Sequence, residues 1–383
     1  MGETQNMKLA VGIDVHKEKC VACAVYAGQG EATSKQQYFL DRFEDGFKRF
    51  PSDGRGMLDM VRFLRGHELH VLIENSTKSH DIYWLLRALD VDVIVAHATD
   101  LYRITKSVRK NDDNDARELA GYMRRKLMGE VEFSVSHIPS HETLEKRELC
   151  RFDMNDRSEL TAVKLQIRSH LLIRGMELSK KYSDITSISA LDELTATKDT
   201  ILMLDAKKAK ELKLRILFTD RIIRQKMWND RIFEIVWSIP GFGVLSAAYL
   251  ACMADDMSRF DDGRAFAASF GLTPKLDESA DKSKNCGISR RGDADMRRLI
   301  GQATFVHVTR AESFISEKYK RLRARGKHHN EALVACANSM VRMIFALIRD
   351  DRPYSADPES LAETRVYADS DALEDDMEAA GKD

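Results

Sequence analysis

The feature that most constrains this chain is a change of hydrophobic period near residue 135. Before it, short β-rich runs (KLAVGIDVHK, CVACAVYAG, HVLIEN, DVIVAHA) are interspersed with segments of helical spacing such as RGMLDMVRFLRG, in which Met57, Met60, Val61 and Leu64 share a face. QQYFLDRF reads as a third short strand ahead of the first helix, and DDNDARELAGYMRRKL opens with acidic residues, as helix starts prefer. The resulting order, β-β-β-α-β-α-β-α, predicts a mixed sheet with helices packed on it over residues 1–135.

Beyond His137 the sequence is long, charged and helix-favouring. Leu160, Val163, Ile167 and Leu171 recur at three to four residues, which predicts amphipathic helices pairing as an antiparallel coiled-coil connector over 136–235. In SIPGFGVLSAAYLA, Pro240, Gly241 and Gly243 form a turn that opens a small-residue helix. The arrangement resembles a helix-hairpin-helix element, whose backbone amides bind phosphate, although a glycine turn before a helix is common. RAFAASF is a helix, the stretch after it a polar loop, and DADMRRL a basic helix start; two further helices complete a mainly α domain over 236–350.

The formal net charge is −1, but residues from Asp351 onward hold eleven Asp or Glu against three Lys or Arg, a net of −8, so residues 1–350 carry −1 − (−8) = +7. A basic body suits a nucleic-acid partner, and 351–383 reads as an acidic, solvated, disordered tail. No leader peptide or membrane-length apolar run stands out, and Cys20 and Cys23, three apart in a strand, point to opposite faces. A cytoplasmic enzyme without disulfides is expected.

Asp14 ends the first strand, Glu74 ends a central strand, and Asp112 and Asp115 stand at i and i+3 of a helix start. Singly, each is a common turn or cap residue. Together they form a set of hard oxygen donors suited to Mg²⁺ or Mn²⁺, and two such ions about 3.5–4 Å apart stabilise both the attacking and the leaving oxygen of a phosphodiester displacement. Asp113, between the helical pair, points elsewhere and is expected not to be a ligand.

GIDVHK, LIEN and KNDDNDARELA, followed by IPGFG, FGLTPKLDES and GISRRGD, resemble the DEDD transposases of insertion sequences, a family that includes Piv-type DNA invertases and bridge-RNA-guided recombinases. The resemblance runs from about Lys8 to Arg349. It implies an α/β ribonuclease-H-like (RuvC-like) N-terminal domain, and a C-terminal transposase domain carrying a serine that attacks DNA. By motif, Asp14, Glu74, Asp112 and Asp115 take the acidic positions and Ser279 that of the nucleophile, with Ala280 where the family has glycine; Ser289 is a second possibility. A serine hydroxyl needs activation by a base or metal, which the carboxylate-bound ions would supply. Lys17, Lys110, Lys275, Arg290, Arg291, Arg297 and Arg298, with the Gly241 and Gly243 amides, are candidate nucleic-acid contacts, and each cation could equally belong to a solvated face. The resemblance also implies DNA as substrate, an element-encoded noncoding guide RNA, a homo-oligomer (dimer or tetramer), and a prokaryotic, nucleoid-associated protein.

A hydrolytic nuclease of the junction-resolvase type is the alternative, with the same metals activating water. An actin-like or sugar-kinase ATPase lacks a second glycine-rich phosphate loop here. A noncatalytic nucleic-acid-binding descendant conflicts with the intact acidic quartet.

Overall fold

Strand β1 (Lys8–Val15) buries Leu9, Val11 and Ile13 on one side and Ala10 on the other, so both faces of the strand are covered. The computed structural model describes residues 6–97, 112–279, 282–289 and 292–355, and of 44–47, 112, 179–180 and 274–287 only the backbone. Two compact units emerge, Met1–Pro139 and Ser140–Asp383.

In the first unit, β1 is followed by β2 (Lys19–Tyr26), α1 (Ser34–Phe47), β3 (Arg49–Pro51), α2 (Gly54–Phe63), β4 (Glu68–Glu74), α3 (Ser79–Ala88), β5 (Asp92–Ala96) and α4 (Asp112–Leu127). The sheet order is β3-β2-β1-β4-β5, with β1 antiparallel to β2 and parallel to β4, and β4 parallel to β5. One face packs on α1, α2 and α3 through Phe43, Met57, Met60 and Ile82; the other packs on α4 through Leu119, Tyr122 and Met123. Cys20 and Cys23 belong to these opposite faces.

QQYFLDRF is helix, not strand, so two strands rather than three precede the first helix. Thr33 and Gln36 form a capping box, the Thr33 amide donating to Gln36 Oε1 at 2.8 Å, and Leu40 and Phe43 are buried at helical spacing. The apolar spacing of three and the cap outweigh the short β-favouring run Tyr38, Phe39 and Leu40. The third strand is the short RFP segment behind it.

The second unit begins with α5 (His141–Ile173), followed by α6 (Leu178–Lys181), α7 (Ile188–Thr195) and α8 (Thr200–Lys226). α8 runs antiparallel to α5, as the pairs Glu145–Lys226 and Glu159–Lys208 require, and Val163, Ile167 and Leu171 meet Leu202, Ala206 and Leu212 in their core. A second core gathers α9 (Arg231–Trp237), α10 (Val244–Ala254), α11 (Gly263–Ser269), α12 (Ala294–Arg310), α13 (Phe314–Ala324) and α14 (His329–Arg349) around Tyr249, Phe266 and Met340. α14 is long and apolar enough to cross a membrane, but 61% of its apolar window is buried in the protein, as in a core helix.

The segment expected as a polar loop is instead an antiparallel hairpin, β6 (Pro274–Ser279) and β7 (Lys282–Ile288), with an irregularity between Pro274 and Leu276. Its polar composition concealed the backbone pairing. The tail from residue 356, Lys110, Arg290 and Arg291 lie outside the described residues.

Candidate functional site

The position of the N-terminal acids follows from how α4 lies on the sheet. A Cβ on Gly12 would come within 2.2 Å of the Ala116 carbonyl oxygen and 2.3 Å of the Ala120 amide nitrogen, so the helix backbone rests directly on β1. Only glycine permits that approach. Ala116 lies over Gly12, while Leu119 and Met123, further along α4, join the core of Ala10 and Leu72. α4 therefore runs opposite to β1, bringing its N-terminal turn, Asp112 to Asp115, to the end of the strand where Asp14 lies.

Asp14 is two residues beyond Gly12 and Glu74 two beyond Leu72, and Gly12 is in register with Leu72. Side chains alternate along a strand, so both acids lie on the face covered by α4. Asp14 is half-buried with Asp115, whereas Glu74 is exposed. The backbone thus collects four acidic positions at one edge of the sheet, at the C-terminal ends of β1 and β4 and the N-terminus of α4. Among the described side chains, no three of His, Cys, Asp and Glu converge into a closed metal-binding group, and the Asp112 side chain lies outside those described.

Two further polar residues complete this edge. His16 places Nε2 3.1 Å from Asp14 Oδ2, while its carbonyl accepts from Ser52 Oγ at 2.7 Å. Sequence reasoning passed over His16 in favour of the neighbouring Lys17, which is exposed. The available signal was a histidine two residues after the strand-end aspartate. Asp113 points away, paired with Lys48 Nζ at 3.0 Å and Arg49 Nη2 at 2.9 Å.

In the second unit, Ser279 is the last residue of β6, paired in register with Lys282 at the far end of the hairpin; its side chain and that of Lys275 lie outside those described. The hairpin base is held from several sides. The Ser289 amide donates to the Thr273 carbonyl at 2.9 Å, Asn338 Nδ2 donates to the Leu272 carbonyl at 3.1 Å, and Arg297 Nη1 reaches the carbonyls of Phe270 at 3.3 Å and Gly292 at 3.0 Å. Gly292, with φ +82°, would place a Cβ 2.1 Å from the Ser269 carbonyl oxygen, and Asp293 caps α12 through the Met296 amide at 2.8 Å. Asp293 also accepts from the Tyr249 hydroxyl at 2.9 Å, and burial pushes that phenol well above its usual range. These contacts give Ser289, Gly292 and Asp293 of GISRRGD a structural reason: they anchor the strand that returns from Ser279. Ser289 sits at this anchor, and Arg298 Nη2 is 3.4 Å from Asp295.

The glycine turn is equally packed. Gly241, at φ +107°, would drive a Cβ to 2.2 Å from the Ala303 carbonyl oxygen. Buried His307 ties the turn down, with Nδ1 2.8 Å from the Pro240 carbonyl and Nε2 2.9 Å from Ser313 Oγ. The carbonyl can only accept, so Nδ1 carries the hydrogen and Nε2 accepts from the serine. Burial lowers the imidazole pKa and favours this neutral form. Gly243 is exposed at the N-terminus of α10, with its amide donating to Ser246 Oγ at 2.9 Å.

A family model described as "Transposase IS116/IS110/IS902 family" matches residues 234–320, and a DEDD transposase model of the IS110 type, described as "Transposase", matches residues 11–174. The first contains the glycine turn and the hairpin; the second contains all four acidic positions. A protein of insertion element IS900 from Mycobacterium paratuberculosis is 32% identical over 40% of this chain and 39% of its own length. The transposase for IS1328 from Yersinia enterocolitica is 29% identical over 36% of this chain and 41% of its own. A pilin gene-inverting protein from Moraxella lacunata is 28% identical over 36% and 48%. The matched segments thus span about two-fifths of the first two relatives.

Proposed function

This chain belongs to the IS116/IS110/IS902 family of transposases, and on that premise we propose that it is a DNA recombinase that cleaves and rejoins strands through a serine nucleophile, Ser279, assisted by a carboxylate-bound divalent metal site. The observation that carries the proposal is the placing of Asp14, Glu74 and the N-terminal turn of α4 at one edge of the sheet, made possible by Gly12. Sheet order and the cover of α4 support a ribonuclease-H-like reading of the first unit. The antiparallel α5 and α8 support a coiled-coil connector ahead of a C-terminal transposase domain.

The donor chemistry fits Mg²⁺ or Mn²⁺: acidic oxygens at a strand edge, with neither cysteine nor a histidine pair to favour a softer ion. Asp14, Glu74, Asp112 and Asp115 would hold it. When bound, such an ion stabilises negative charge on a phosphodiester oxygen and lowers the pKa of a coordinated hydroxyl. His16, whose Nε2 lies 3.1 Å from Asp14 Oδ2, would help to orient that carboxylate. The Ser279 hydroxyl loses its proton and attacks phosphorus; one strand P–O bond breaks as the serine ester forms, and the departing sugar oxygen takes a proton. The reverse attack by a sugar hydroxyl rejoins the strand, and because one phosphoester replaces another, no ATP is consumed.

DNA is the proposed substrate, with a noncoding guide RNA and further copies of this chain as partners. The test incubates the protein with Mg²⁺, transcripts of its flanking noncoding DNA and labelled element-end DNA. A denaturant-resistant adduct lost in Ser279→Ala and in Asp14→Asn is the expected result. Free nicked DNA without an adduct, unaffected by Ser279→Ala, would make the protein a hydrolytic nuclease.

A further inference from the structure

We propose that the corner joining α13 to α14 is a docking surface for the phosphate backbone of duplex DNA; this rests on the recombinase reading. Residues 318–330 contain six Lys or Arg and no Asp or Glu. Lys320, Arg321, Arg323, Arg325, Lys327 and His328 are all exposed. Among the described residues, none of the five Lys and Arg in that group makes an ion pair.

Several cations elsewhere in this unit are matched. Lys146 meets Glu142 at 2.9 Å, Arg157 meets Asp220 at 2.9 Å, Lys208 meets Glu159 at 2.7 Å and Lys226 meets Glu145 at 2.8 Å. Other exposed cations of this unit, Arg168, Lys207 and Arg221 among them, also stand outside ion pairs among the described residues, but they are spread along α5 and α8, whereas five are crowded here into residues 320–327. The favourable field at the C-terminus of α13 accounts for Arg321 and Arg323 in its last turn and for Arg325 at its C-cap, but not for Lys320 and Lys327.

The charges stand on a braced corner. Gly326, at φ +83°, lets its amide donate to the Arg323 carbonyl at 3.0 Å and the next amide, of Lys327, to that of Leu322 at 3.1 Å, closing the helix. Arg323 Nη1 donates to the Lys327 carbonyl at 2.6 Å, and Tyr319 Oη lies 2.6 Å from His329 Nδ1, bolting α13 to α14. Within residues 318–330 the one Phe, Tyr or Trp ring is that of Tyr319, which is half-buried and held by His329 rather than presented to solvent. A single-strand site would need such rings to stack bases, so the corner suits a backbone read by charge. By contrast Arg297 is engaged with the carbonyls of Phe270 and Gly292.

The experiment measures affinity of the full chain for a duplex oligonucleotide of arbitrary sequence from about 50 to 200 mM salt, since each phosphate contact contributes about 0.9 to the slope of log affinity against log salt. Arg321→Gln/Arg325→Gln/Lys327→Gln is expected to reduce the slope by about 2.7, and Lys320→Gln alone by about 0.9. Unchanged thermal unfolding verifies that these exposed substitutions leave the fold intact. An unchanged slope, with wild-type protein still binding duplex, overturns the docking surface and leaves the recombinase reading standing. A change confined to parallel arms with RNA overturns the choice of DNA, and wild-type protein that binds no duplex overturns both readings.

Discussion

Asp14 and Asp113 are both ordinary aspartates in sequence, and what separates them is what each touches. Asp14 lies at the strand edge beside His16, while Asp113 is held by Lys48 and Arg49. Asp14→Asn and Glu74→Gln are expected to lower strand cleavage by more than about 100-fold with folding intact, because even outer-shell partners of a metal site matter about 10–100-fold. That outer-shell range applies to His16→Gln. Asp113→Asn should cleave normally and lose only a partly exposed ion-pair contribution of about 1 kcal/mol or less. Cleavage rates on one labelled substrate check all four, and normal cleavage by Asp14→Asn would sink the site. The acids were legible because strand ends and a helix start carried them; the contact of His16 with Asp14 depends on where the chain turns after β1.

At the scale of elements, three packings decide the outcome. Gly12→Ala forces a Cβ into the backbone of α4, a clash expected to destabilise the first unit by about 1–3 kcal/mol and to reduce cleavage with it. Circular dichroism melts of the variant, alongside cleavage, check this. The glycine turn at Gly241 hangs on neutral His307, whose folded pKa is depressed by burial below the 6.5 of a free imidazole. Its contribution to stability is therefore full above about pH 6.5 and is lost as pH falls through the folded pKa. Denaturation midpoints measured across that range should decline less steeply in His307→Gln. The hairpin ending at Ser279 was hidden because KLDESADKSKNC has the composition of a loop. Its strand pairing is visible only as backbone geometry, and QQYFLDRF misleads for the converse reason, its run of β-favouring residues concealing a capped helix.

For the whole molecule, two units have separate cores, and the proposed acids lie in the first and the proposed serine nucleophile in the second. Residues 1–139 expressed alone are expected to unfold cooperatively, since they bury a complete sheet between helices, yet to form no adduct with DNA, because they lack Ser279. A differential scanning trace and a denaturing gel check the two halves of that statement. The basic body and acidic tail, +7 against −8, predict DNA affinity that falls steeply with salt. By itself the sequence determined which residue types were available and in what order: acids at strand ends and a helix start, a serine closing FGLTPKLDES, amphipathic helices beyond His137. Local periodicity and composition suffice for that, because they act over a few residues. Only the tertiary structure decided that α4 lies on Gly12, that Arg297 faces backbone carbonyls, and that the cations of α13 face solvent. Those outcomes depend on contacts between residues distant in sequence, where close packing rather than pattern selects the partner.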